Sequence, residues 1–278
     1  MLFRSEEMPY FLFADKPWTL KNLVPPLLAN DLEALTLWRA VARQRPSDKV
    51  MLVLGSAMAD RAVDVRLTRD TRRSLVFRIV VECLHALKDV REPAVSNTRI
   101  QQMIRLLDDE VRAEGAGAIQ RFVREVSQSH EGKPSMASPE KLFRSAAAPF
   151  LLNFWPQERS LATPGVSRAL ADLPATAQEA FAEAVAAIER FLVPFKCWSM
   201  LDYGLYGEDA GQPKLSIINS EAKAAAFLRL LDLTIGTAEG ATIPHDLADA
   251  LDQIRRVAPK LAEDQIFRRL ATSARRTP

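Results

Sequence analysis

The chain has 278 residues, of which 48% are hydrophobic and 26% are charged, and its formal net charge is +2. These proportions are those of globular proteins, so they exclude a wholly disordered chain, and the small net charge indicates no particular class of partner. The two cysteines, Cys83 and Cys197, are too few and too far apart for a disulfide framework or a CxxC metal site. No run of about 18 apolar residues predicts a membrane span, and the N-terminal residues lack the apolar core of a signal peptide.

The first predicted elements are helices. An apolar pattern runs from Thr19 to Leu28, and Asn30 or Asp31 can cap a helix that carries Leu32, Leu35, Trp38 and Val41 on one face. Ser47 can cap the next helix. A strand over 50–54 is the alternative there, but no other strong parallel strand accompanies it, so a helix is favoured.

The segment from Arg61 to Leu87 joins a basic cluster to an apolar helix. The arginine cluster, as we call it, consists of Arg61, Arg66, Arg69, Arg72 and Arg73. The helix predicted over about 71–88 is apolar except for one polar line, as expected of a helix surrounded on most sides. That line, named the polar line below, is formed by Ser74, Arg78, Glu82 and His85.

After Pro93, Ser96 can cap an amphipathic helix, and a further apolar pattern covers 119–126. The polar stretch at 129–139 contains glycine and proline and has no periodicity, which predicts a linker between lobes at 1–128 and 140–278. Later helices are predicted near 140–152, 165–172, 175–193, 220–235, 244–258 and 260–274, with a short strand at 214–218. With only 10 glycines, the chain favours an all-α fold. We expect an irregular bundle of about ten to twelve helices, with HEAT-like stacking as an alternative arrangement.

The sequence lacks the motifs of common catalytic and metal sites. It contains no GxSxG, no HExxH and no P-loop. Glu82 and His85 form one ExxH pair, a unit that di-metal helical bundles use twice, and no matching second pair is evident. We therefore predict no metal, no cofactor and no catalytic residue. An enzyme with a dispersed site around Arg78, Glu82 and His85 is an alternative.

The arginine cluster is the candidate nucleic-acid contact, since arginines grouped at a helix end can hold phosphates. Arg268 and Arg269 near the C-terminus are candidates for the same role. Residues 89–106 resemble the turn and second helix of a helix-turn-helix only weakly, because Pro93 falls where the first helix should continue. The competing interpretation is a solvated face that pairs with Asp64 and Asp70. Arginine also outnumbers lysine, as a GC-rich, bacterial-like genome would produce without any nucleic-acid function.

Two aromatic groups are candidate partner-binding residues. One comprises Tyr10, Phe11 and Phe13, and the other comprises Trp198, Tyr203 and Tyr206. The leading hypothesis is a non-catalytic cytoplasmic subunit or adaptor of a larger protein assembly, with a protein partner and no membrane or small-molecule cofactor. Contact with the backbone of DNA or RNA through the arginine cluster is compatible with it and is also a separate alternative.

Overall fold

The computed structural model describes residues 7–43, 48–127, 137–205, 214–238 and 241–275. Within these ranges all regular secondary structure is helical, which confirms the all-α class. Sixteen α-helical segments are present there, two of them single turns of four residues, so the count exceeds the predicted ten to twelve. Among the described helices none is long and apolar enough to cross a membrane. HEAT-like stacking stays a prediction.

The chain divides into two compact units. Unit 1 comprises Met1–Ala118 and Asn153–Pro156, and unit 2 comprises Ile119–Leu152 and Gln157–Pro278. The predicted lobes at 1–128 and 140–278 stay a prediction, because most of the proposed linker at 129–139 lies outside the described residues.

Unit 1 is built from the first eight helices, the last of which continues into unit 2. Their bounds are α1 Met8–Ala14, α2 Lys16–Asn22, α3 Val24–Leu28, α4 Leu32–Val41, α5 Asp48–Ala62, α6 Arg69–Lys88, α7 Asn97–Leu106 and α8 Asp109–Ser127. Asp31 caps α4 by accepting a hydrogen bond from the Ala34 amide at 2.8 Å, and Ser96 caps α7 through the Arg99 amide at 3.4 Å. Both caps are as predicted, whereas Ser47 lies outside the described residues.

Helix α6 forms the centre of unit 1. Thr68 caps it by accepting from the Thr71 amide, so the helix begins at Arg69, two residues before the predicted start. Its apolar residues Leu75, Val76, Ile79, Val80 and Cys83 are fully buried, and its most extensive packing is against α5. Burial of each of the aliphatic side chains contributes about 1.5–3 kcal/mol, so the packing of this helix stabilises unit 1.

The segment from 50 to 54 is part of helix α5 and not a strand. Gly55 in this helix permits a close approach by the loop before α7. A Cβ atom at Gly55 would lie 2.8 Å from Cγ2 of Val95, which is inside van der Waals contact. The glycine that follows this apolar run therefore has a packing role.

Unit 2 contains shorter helices joined by tight turns. The α-helical segments are α9 Pro139–Leu142, α10 Ala148–Asn153, α11 Pro164–Leu170, α12 Leu173–Thr176, α13 Phe181–Ile188, α14 Glu221–Thr234, α15 Leu247–Val257 and α16 Gln265–Ala274. A π-helical turn at Phe143–Ala147 joins α9 to α10. 3₁₀ turns occupy Arg159–Leu161, Gln178–Ala180, Glu189–Phe191, Met200–Tyr203, Leu215–Ile217 and Pro259–Glu263.

Several predicted elements differ from the structure, including the helix over 260–274, which is a 3₁₀ turn at Pro259–Glu263 followed by α16. The pattern at 119–126 is not a separate helix but the continuation of α8. The helix predicted over 175–193 is interrupted at Gln178, whose φ of 52° is incompatible with a right-handed helix. The strand predicted at 214–218 is wrong, since Leu215–Ile217 is a 3₁₀ turn and no strand is present in the described parts of the chain to pair with it.

Candidate protein-binding surface

The arginine cluster is engaged in ion pairs within unit 1. Arg61 and Arg66 both pair with Asp64, at 3.1 and 2.7 Å. The hydrogen bond from Arg66, together with that from Arg61, lowers the pKa of Asp64 to about 2, so this carboxylate stays charged across the physiological range. Arg61 also donates to the carbonyl oxygen of Ala29, which ties the end of α5 to the loop before α4.

The other three arginines of the cluster pair with the acidic start of α8. Arg69 Nη1 lies 2.7 Å from Glu110 Oε2, and Arg73 Nη2 lies 3.2 Å from the same oxygen. Arg72, whose side chain is only 9% exposed, pairs with Asp108 at 2.7 Å. These contacts hold α6 against α8, and a phosphate at these arginines would compete with carboxylates that are already paired there.

The two C-terminal candidates are not alike. Arg269 donates to Asp232 at 2.8 Å, which joins α16 to α14 within unit 2. Arg268 is exposed on the same helix.

The polar line serves to hold loops in place. Arg78 donates to the carbonyl oxygen of Ala42 at 2.7 Å. The buried carboxylate of Glu82 accepts from Arg91 at 2.7 Å and from the Ala94 amide at 3.1 Å, so it fixes the loop before α7. Burial lowers the pKa of His85. Arg78 and Glu82 thus bind the backbone of two different loops.

Burial also makes the two thiols poor nucleophiles. It raises the pKa of Cys197 to about 12 and that of Cys83 still further. A thiol with so high a pKa is protonated at neutral pH and unreactive. Within the described residues no group of three or more His, Cys, Asp or Glu side chains is arranged to hold a metal ion.

Helix α1 exposes aromatic side chains on the side opposite to its buried face. Met8 and Leu12, four residues apart, are buried, while Tyr10 is 66% and Phe13 is 77% exposed. The helix, MPYFLFA, contains no charged residue. A helix that is apolar all round is normally covered on all sides, so α1 leaves one apolar face open.

Neighbouring elements extend this face. The half-buried ring of Phe11 lies 5.6 Å from Tyr10 and 5.8 Å from Trp18 of α2, measured between ring centroids. Lys49 of α5 places its Nζ 4.9 Å from the centre of the Phe13 ring. Leu52, one helical turn after Lys49 and therefore on the same side of α5, is 69% exposed.

We call these residues together the aromatic surface: Tyr10, Phe11, Phe13, Trp18 and Leu52. The first three were candidates from the sequence. Trp18 and Leu52 were not.

The second aromatic group divides between surface and core. Trp198 is exposed, as a partner-binding residue requires. Tyr203 is only 1% exposed, and its hydroxyl shares a hydrogen bond of 2.8 Å with Thr234. Its assignment to a partner-binding surface is therefore corrected, because its ring packs edge-on against Phe227 inside unit 2. Tyr206 lies outside the described residues.

Among the predicted sites, the residues of α1 form an open apolar surface in unit 1. The arginine cluster is paired with acidic residues, and the polar line holds loops. No protein-family model, no curated protein and no solved structure matches this chain.

Proposed function

We propose that this chain is a non-catalytic subunit or adaptor that binds a protein partner through the aromatic surface. The observation that carries the proposal is the open face of α1, where two large aromatic side chains are more than half exposed on a helix without charges. Soluble domains rarely leave such apolar groups side by side in water, and aromatic residues are enriched at protein interfaces.

The energetics favour an apolar partner segment. Covering Tyr10, Phe13 and Leu52 would remove three large side chains from water, each worth about 1.5–3 kcal/mol when fully buried. Lys49 can keep its contact with the Phe13 ring and remain at the polar rim of such an interface. The partner we expect is a protein segment that presents an apolar face.

The alternatives have less support. Nucleic-acid binding needs an excess of positive charge, whereas the five arginines of the cluster share ion pairs with Asp64, Asp108 and Glu110, which leaves only a small excess. An enzyme site around Arg78, Glu82 and His85 needs these groups to face a substrate, whereas Arg78 and Glu82 bind loop backbone. The proposed location is the cytoplasm, since both cysteines are free thiols.

Replacing Phe13 with aspartate is expected to weaken partner binding by at least about tenfold, because the variant loses an apolar contact and places a charge in the interface. The wild-type chain and the Phe13→Asp variant would be isolated with the same tag from cells of the source organism. Quantitative mass spectrometry would then compare the proteins recovered with each.

The matched control is Leu152→Asp, which changes an equally exposed apolar side chain of α10 outside the aromatic surface. At least one protein should be recovered with the wild type and with Leu152→Asp but lost with Phe13→Asp. Equal recovery of every protein with all three chains would overturn the proposal, provided that circular dichroism shows all three to be folded.

A further inference from the structure

A small apolar pocket lies between α5 and α7 of unit 1. Its volume is about 250 Å³, and every residue that lines it belongs to the described parts of the chain. Ala59 of α5 and Met103 of α7 are nearly buried and form its base, while Leu106, which is 70% exposed, stands at its rim. Because a cavity of about 150 Å³ can hold a benzene ring, this pocket has room for one large apolar side chain.

The rim of the pocket is polar. Arg99 of α7 forms an ion pair with Asp60 of α5, which links the two helices beside the opening. Arg99 also donates to Gln102 at 3.4 Å, and Arg105 completes the polar lining. An apolar base inside a polar rim is the arrangement that surrounds an anchoring side chain at protein interfaces.

The pocket is continuous with the aromatic surface along α5. Leu52, the member of that surface on α5, precedes Ala59 by seven residues, so two helical turns place them on the same side of the helix about 10 Å apart. Ser56 lies between them, one turn from each, and is exposed. The open side of α5 therefore runs from the aromatic surface to the pocket, and the serine between them allows another chain to approach closely.

From this arrangement we propose that the partner presents an amphipathic helix that lies along α5. One of its apolar side chains contacts Leu52 and Phe13, and another, seven residues away in the partner, fills the pocket. The proposal rests on the proposed function, since it names the kind of segment that covers the aromatic surface.

The geometry favours a helix over an extended segment. Residues seven apart on a helix face the same side and have the same spacing of about 10 Å as Leu52 and Ala59. An extended segment commonly binds by adding a strand to the edge of a sheet, and the described residues contain no strand that could receive it.

Photo-crosslinking with mapping of the joined residues tests this inference. Benzoylphenylalanine would be placed at Leu52 and, separately, at Leu106 of the full chain in living cells. Mass spectrometry of the products would then identify the partner residue joined to each position. We expect both positions to join the same partner, within one segment and at residues about seven positions apart.

A substitution at the rim measures the contribution of the pocket. Leu106→Asp should weaken partner binding by about tenfold, because a charge replaces an apolar side chain beside the buried anchor. The readout is the crosslink formed from benzoylphenylalanine at Tyr10 in diluted lysate, where its yield follows affinity. Leu152→Asp, which changes an equally exposed leucine of α10, should leave this yield unchanged, and circular dichroism checks that both variants are folded.

Several results would overturn the inference and leave the proposed function in place. They are crosslinks from Tyr10 and Leu52 without one from Leu106, a different protein joined to Leu106, joined residues in separate segments of the partner, or equal yields from Leu106→Asp and Leu152→Asp. The absence of crosslinks from both Tyr10 and Leu52 would instead contradict the proposed function, and this inference with it. The two failures are therefore distinguishable.

Discussion

Replacing Trp38 with alanine is expected to lower the free energy of unfolding by about 4–5 kcal/mol, because Trp→Ala changes in a core remove a large apolar group and leave a cavity. Trp38 of α4 has no exposed surface, and its indole Nε1 donates to the Leu27 carbonyl at 2.8 Å. The variant also leaves this buried carbonyl without its donor, which adds to the loss. Since whole domains are stable by only about 5–15 kcal/mol, unit 1 should become marginal.

The measurement is urea unfolding followed by circular dichroism. Trp198→Ala is the matched control, because that tryptophan is exposed and its removal should change the free energy of unfolding by less than about 1 kcal/mol. Similar unfolding midpoints for the two variants would contradict the placement of Trp38 in the core.

Replacing Asp172 with asparagine is expected to stabilise unit 2 at pH 8 by about 2–4 kcal/mol. Burial raises the pKa of this carboxyl from 3.8 to about 7, and the charge of Arg124 only partly opposes the shift. Asp172 lies in the turn between α11 and α12, and its Cβ is 3.1 Å from where a Cβ at Gly204 would stand.

The sign of the pH dependence follows from proton binding. The folded protein keeps the Asp172 proton up to about pH 7, whereas the unfolded chain releases it near pH 3.8. The contribution of this group is therefore fully present below pH 3.8 and is lost as the pH rises toward 7 and above, by about 1.4 kcal/mol for each pH unit between the two values.

Thermal unfolding between pH 4 and 8 checks this expectation. The Asp172→Asn variant should lack the part of the slope that Asp172 contributes, and its advantage over wild type should disappear near pH 4. Asp249→Asn, a change at an exposed position in the first turn of α15, should leave the wild-type slope in place. A slope that is identical in all three proteins would contradict the raised pKa.

The helices that were predicted correctly from the sequence have capping residues at their N-termini. Asp31 and Ser96 lie directly before apolar periodic runs. Each side chain accepts from the amide three residues later, so the helix start can be predicted from the local sequence alone. The interruption at Gln178 has no such signal, since neither glycine nor proline occurs at that position. The buried Lys223 of α14 pairs with Glu179 at 3.0 Å beside the break, a contact that joins distant parts of the chain.

The roles of charged residues were harder to predict, because several of their partners are distant in the sequence. Local pairing of Arg61 and Arg66 with Asp64 was foreseeable, because the acid lies within three residues of each arginine. The pairs from Arg69 and Arg73 to Glu110 join residues about forty positions apart, so only the packing of α6 against α8 reveals them. These pairs show that the arginine cluster links α6 to the start of α8.

Exposure of aromatic residues likewise depends on tertiary packing. Tyr10 and Tyr203 both lie in short aromatic segments, yet one is open and the other is buried against Thr234 and Phe227. Helical spacing of Met8 and Leu12 does predict which side of α1 faces inward. It does not predict that the opposite side stays uncovered.

The most direct test of the aromatic surface is photo-crosslinking in living cells, with benzoylphenylalanine placed at Tyr10, at Phe13 and, as a control, at Leu152. We expect a discrete crosslinked product that contains the same partner from the first two positions and is absent from the third. Identical products from all three positions, or none from Tyr10 and Phe13, would contradict the claim that this surface binds a protein.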